Sequence, residues 1–179
     1  MAVIEHAAVA LGTAHSNVPG QAFSFAVSVE GARFPSFTAS TEESGSLALS
    51  GTVSGLAGQA GHDAAKIWLQ RWHDNGGVLE VDHFRFTYGQ LLLTANAKGS
   101  LDSALRPQGR ILLYLAGLES WGMAQKQERG EDLVMAARVL GARDEQLEGR
   151  PALGLELSAE QGLLWVGAVP IRELDPLVP

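Results

Sequence analysis

Five histidines (His6, His15, His62, His73 and His83) and four tryptophans (Trp68, Trp72, Trp121 and Trp165) are the side chains here with the widest chemical range. Histidine ligates metals and moves protons near neutral pH. No two of the five stand at the i, i+4 spacing of a helical metal pair, and no His-Glu-x-x-His occurs. His62 and His73 bracket one predicted helix eleven positions apart, so about 16 Å separates them at the helical rise. One metal ion cannot take both.

Asp82-His83 and His73-Asp74 place a carboxylate beside an imidazole, the ingredients of a base and its orienter. On a strand, neighbours point to opposite faces, so Asp82 and His83 are not expected to meet. The Gly-x-Ser-x-Gly elbow, the Walker A loop and Gly-x-Gly-x-x-Gly are all missing from the sequence. Glu42-Glu43 is an adjacent pair on a predicted loop and reads as a solvated turn. With no cysteine in the chain, disulfides, thiolate catalysis, Cys-based zinc sites and iron–sulfur clusters are excluded. The expectation is a non-enzymatic protein without cofactor or metal. The enzyme alternative requires a cleft that gathers His62, His73 or His83 with an acid.

Trp68 and Trp72 share one helical face at i, i+4. Together with Trp121 and Trp165 they have two readings: helix-to-sheet core packing, or a hydrophobic groove that holds an acyl chain. Both bury the same residues, and a cavity would distinguish them.

The elements that must position these residues are legible from charge and alternation. The chain has 179 residues and a net charge of −7, and its charged fraction is 18% where roughly 25% is usual. An acidic chain with scattered Lys and Arg excludes a nucleic-acid partner, which needs a basic patch. No window is long and apolar enough for a membrane span. Residues 1–60 hold only Glu5, Glu30, Arg33, Glu42 and Glu43, whereas residues 119–150 hold twelve charges. The charge-poor part of the sheet is therefore expected to be covered, by its own helices, by a lipid or by another part of the protein. Ala2–Leu11 is apolar, yet the first basic residue is Arg33 and Glu5-His6 interrupts the run, so it is not read as a secretory signal.

Phe23, Phe25, Val27 and Val29 alternate with small residues, and Leu47, Leu49 and Val53 repeat the pattern: two strands buried on one face. His62–His73 is the clearest helix, stopped at Asn75-Gly76-Gly77. Residues 78–86, 91–98 and 110–116 alternate again, and glycines at 77, 89, 99, 109 and 117 punctuate them as an antiparallel meander would. Residues 118–147 are helical by propensity, with a stripe of Leu133, Ala136, Ala137 and Leu140 and a stop at Gly141. Residues 152–157 and 163–166 form a last hairpin, and a Pro-bearing tail follows from Ile171. The expected fold is α+β: a twisted antiparallel meander with helices packed on one face, forming a single domain over 1–179.

The motifs Gly77-x-Leu79-x-Val81, Tyr88-Gly89-x-Leu91-x-Leu93, Gly99-x-Leu101-Asp102, Leu105-x-Pro107-x-Gly109-x-Ile111-x-Leu113 and Gly162-Leu-Leu-Trp-Val-Gly167-Ala-Val-Pro170 carry a family likeness. Over roughly residues 65–179 the chain resembles the uncharacterised bacterial domain-of-unknown-function family 2125, most specifically in the Leu-Asp…Pro-x-Gly segment. The resemblance implies an extracytoplasmic protein of Gram-negative bacteria, longer than this chain and anchored at the inner membrane, of which this is the C-terminal part. It carries no catalytic residues. The strand phrasing is also similar to periplasmic proteins that form long curved sheets and conduct lipid between membranes. The leading expectation is thus a periplasmic cell-envelope domain, structural or lipid-binding, with a lipid and the missing N-terminal half as partners. The alternatives are a protein-interaction module using the uncharged sheet edge of residues 22–55, and a cytoplasmic location.

Overall fold

Among the described residues, alternation accounts for most of the strands, and turns and short helices connect them. The computed structural model describes residues 4–14, 20–33, 44–56, 65–119 and 129–178, with residues 129–131 and 133 described by their backbone alone. In chain order the elements are β1 (His6–Ala14), β2 (Gln21–Ala32), β3 (Gly45–Leu56), α1 (Ala65–Asp74), β4 (Val78–Tyr88), β5 (Leu91–Leu101), β6 (Pro107–Ala116), α2 (Arg129–Val139), β7 (Arg143–Leu147), β8 (Arg150–Glu160), β9 (Leu163–Val166) and β10 (Val169–Glu173).

All ten strands join one antiparallel sheet in the order β1-β2-β3-β4-β5-β6-β8-β9-β10. β1 to β6 form the expected meander. β8 then lies along β6, and its other edge is shared end to end: β7 pairs with Arg150–Gly154, β9 with Leu157–Glu160. Two-residue turns, Glu148-Gly149 and Gln161-Gly162, link these strands, and all four residues have positive φ. That is the geometry that matches the twist of a hairpin.

Three strands escaped the sequence reading. β1 is built of Ala, Val and Leu with little contrast between its faces. β7, Arg-Asp-Glu-Gln-Leu, lies inside the segment expected to be helical and is exposed at four of its five positions. β10 occupies part of the Pro-bearing tail. The helical expectation over 118–147 holds at residues 118–119 and in α2 and fails at β7; α2 ends as predicted at Gly141: Ala142 N–H bonds Ala137 O at 2.9 Å and Gly141 N–H bonds Arg138 O at 3.0 Å. Residues 120–128 lie outside the described ones.

The helical layer expected over one face is not found among the described residues. α1 meets the sheet at the end where β3 finishes and β4 starts, and it too closes with a two-bond cap, Gly77 N–H to Trp72 O and Gly76 N–H to His73 O. α2 runs beside β8. Deep burial follows the same division. One cluster joins Trp72, Leu101 and Leu105, with Val53, Leu56, Leu69 and Val178 around it. A second joins Leu92, Ala116 and Ala152 under Leu147. The core sits at the two ends of the sheet, and its middle is only half-buried.

Candidate functional site

The register sorts β2 to β6 and β8 into two faces of different character. Residues directly opposed across a ladder share a face, so the pairings can be followed from strand to strand. One row runs Ala7, Val29, Leu47, Phe86, Leu93, Leu115, Leu153. The next runs Val9, Val27, Leu49, Phe84, Ala95, Leu113, Leu155. A third runs Leu11, Phe25, Gly51, Val81, Ala97, Ile111, Leu157 and on to Val166. These rows carry no charge and no hydrogen-bonding side chain. From β1 to β8 they cross seven strands, about 30 Å at the usual ladder spacing, which is twice the roughly 15 Å occupied by one leaflet's acyl chains.

A face of this composition would ordinarily be the inside of a sandwich. Here Val9 is 69% exposed, Leu11 79% and Ile111 41%, and in the next row of the same face Phe23 is 37% and Leu79 42% exposed. Most of the other side chains in these rows are half-buried. Complete burial of one such side chain is worth about 1.5–3 kcal/mol. Much of that stabilisation is left unused in the middle of the face.

The opposite face is dressed for water. Glu80, Lys98, Arg110 and Ser158 form a cross-strand row, with Lys98 Nζ 3.7 Å from Glu80 Oε1 and Arg110 Nε donating to Glu156 Oε1 at 2.8 Å. Ser46 and Thr87 share a hydrogen bond of 2.7 Å. A bulge in β4 sets both Asp82 and His83 between Val81 and Phe84, opposite the single residue Asn96. The extra residue removes the strict alternation that was expected to part them, and it places both on the polar face, exposed.

The end of the sheet beneath α1 is closed by specific bonds. Trp72 is 8% exposed and its Nε1 donates to Ser54 O at 2.7 Å. Gly77 lies against its ring, where a Cβ would come within 2.3 Å. His73 Nδ1 bonds Leu101 O at 2.9 Å. The motif segment Leu101-Asp102…Pro107-x-Gly109 is the β5–β6 turn. Asp102 Oδ1 accepts from the backbone N–H of Ala104 at 2.9 Å and of Arg106 at 2.8 Å, and its Oδ2 accepts from Arg106 Nε at 2.7 Å. Burial pushes the Asp102 carboxyl up, but these three donors and the Arg106 charge outweigh it and hold it below the ordinary 3.8. The turn swings Leu105, at φ 60°, into the Trp72 cluster, and Leu177 N–H bonds Leu105 O at 3.1 Å.

At the far end the β7–β8 hairpin folds onto the polar face. Leu147 covers Leu92, Ala116 and Ala152, and Glu148 forms a two-bond ion pair with Arg85. The hydrogen bond from Arg85 lowers the Glu148 carboxyl, and the same bond raises the guanidinium. On the apolar side, Val134 and Arg138 of α2 stand beside Leu115 and Leu153 around a cleft of about 330 Å³.

The sequence-predicted residues are dispersed by this arrangement. Trp68 stacks on Trp72 with ring centroids 6.5 Å apart, both within the end closure. Trp165 is half-buried on β9, opposite Ser158 and Pro170 and so on the polar side. Trp121, His15 and His62 lie outside the described residues. His6 is at the start of β1, His73 is in the closure and His83 is at the bulge. The rival interaction edge is also displaced among the described residues: β2 and β3 are each paired on both sides, and residues 34–43 between them lie outside the described ones. The feature that sequence reasoning named only piecemeal is the apolar face itself. Its signal was the alternation, and its continuity depends on register, which one-dimensional spacing does not give.

Among the described residues no helix is long and apolar enough to cross a membrane, and no group of three His, Asp or Glu is placed to hold a metal ion. No curated protein and no solved structure matches the chain. A family model does, over residues 4–174, so the likeness extends well before residue 65, where the quoted motifs begin. The chain belongs to the bacterial family described as an uncharacterized protein conserved in bacteria, DUF2125.

Proposed function

We propose that this chain is a non-enzymatic domain of the bacterial cell envelope that binds a lipid or another long apolar ligand along the apolar face of its sheet. The observation that carries this reading is the set of uncharged rows from β1 to β8, half-buried in the middle of a sheet whose cores lie at its ends. An apolar surface of that extent is a ligand or partner surface in a soluble domain. The ligand is an acyl chain lying across the strands. α1 and α2 bound the face at its ends and do not cover it. Trp68 and Trp72 serve as a packed closure beside the ligand. The envelope location rests on the family resemblance.

Titration of the purified protein with dansyl-labelled palmitate tests this. Saturable fluorescence enhancement is expected, together with lipid recovered by organic extraction and seen by native mass spectrometry. Leu93→Glu, on the apolar face, is expected to weaken binding at least tenfold. Thr94→Glu, its neighbour on the polar face, leaves binding unchanged. If the probe does not bind, or if both variants bind equally well, the reading is wrong.

A further inference from the structure

Among the described strands β1, β7 and β10 are each paired on one side only, and they are defended unequally against further pairing: β7 is Arg-Asp-Glu-Gln-Leu, mostly charged. β10 has five residues, Val169-Pro-Ile-Arg-Glu173; the proline lacks an N–H and the charges repel apolar strands, which are ordinary ways of blunting an edge. β1 has nine residues, without proline and without Asp, Glu, Lys or Arg. Its outer edge pairs with no described strand. Eight of its nine residues are exposed, and Leu11, at 79%, is more exposed than any other large apolar side chain of the described residues. A long, uncharged, unpaired strand is a template for another strand.

We propose that β1 pairs antiparallel with β1 of a second copy of this chain, about a two-fold axis through Ala10 normal to the sheet. In that register Val9 of each copy lies opposite Leu11 of the other, and Ala7 opposite Thr13. Positions of equal parity meet, so the apolar rows continue across the junction on one side. A second copy fits because its β1 brings no like charge to the joint. The nearest carboxylate, Glu5, is already held by Arg33 at 3.0 Å. The two-fold also closes, whereas joining β1 to β10 would set Pro170 against the ladder and leave an open chain of copies. The pairing does not depend on what the face binds.

Light scattering across a concentration series is expected to find a dimer, and Ala10→Pro a monomer. The chain has no cysteine, so Ala10→Cys introduces one thiol, on the axis. Mild oxidation should link it into a covalent dimer, while Ala26→Cys, the residue opposite Ala10 on β2, stays unlinked. A native protein that is monomeric at every concentration overturns the proposal. So does a dimer that survives Ala10→Pro, or one in which Ala10→Cys fails to cross-link.

Discussion

Asp102 is the residue with the most specific work in the fold. At 9% exposure it holds two backbone N–H groups and one guanidinium, and through them it fixes the turn that delivers Leu105 to the Trp72 cluster. Asp102→Ala leaves those donors unpaired, so a loss of about 2 kcal/mol is expected, read as a lower urea midpoint with an unchanged slope. Asp102→Asn keeps an acceptor for the backbone donors and should lose less. The carboxyl is lowered in the folded state, so its contribution is fully present above the ordinary 3.8 and fades as the pH falls through the lower folded value. The native protein is therefore expected to lose stability from about pH 4 downward more steeply than Asp102→Asn does. Equal acid slopes would assign the acid sensitivity elsewhere; Glu148, lowered by Arg85, has the same sign.

At the scale of elements, glycines separate lack of space from backbone conformation. A Cβ on Gly51 would fall 2.1 Å from Glu80 O and 2.9 Å from Phe25 Cζ, because β3 and β4 are pressed together where β4 bulges. Gly149, in the β7–β8 turn, has φ +74° and nothing within 4 Å. Gly51→Ala is expected to cost about 2–3 kcal/mol by forcing the strands apart, and Gly149→Ala about 1 kcal/mol from its left-handed backbone alone. Thermal or urea unfolding of the two variants would reverse that order if the β3–β4 contact could relax. The same elements show what was legible beforehand. β2 to β6 and the β8–β9 hairpin were found because Phe23, Phe25, Leu47, Leu49, Ile111 and Leu113 alternate with small or polar residues. β7 was lost because its Arg-Asp-Glu-Gln run has helical composition and no apolar alternation, and its strand state comes from pairing with β8. β1 was lost because both of its faces are small or apolar. The Asp82-His83 bulge was invisible because a one-residue insertion shows only against the partner strands. Of the tryptophans, Trp68 and Trp72 mark the end closure, while the candidate surface is built of Leu, Val and Phe spread over seven strands.

For the molecule as a whole, the contrast between tight ends and an open middle makes a prediction that a closed sandwich would not. Leu101 is 5% exposed within the Trp72 cluster, whereas Ile111 is 41% exposed on the apolar face of the neighbouring strand. Leu101→Ala should cost about 2–5 kcal/mol, as core truncations do. Ile111→Ser removes a similar mass and adds a hydroxyl, yet at a surface position it should cost about 1 kcal/mol or less. Saturating palmitate raises the unfolding temperature of any form that binds it, so the native protein and Leu101→Ala should both gain and Ile111→Ser should gain less. The argument turns on the comparison. If Ile111→Ser unfolds the protein as readily as Leu101→Ala, the face is an enclosed core and has no room for a ligand. If Ile111→Ser is mild but palmitate protects it as well as the native chain, the ligand lies elsewhere on the molecule. Only a mild variant with diminished protection agrees with a sheet that keeps one face apolar for something it binds.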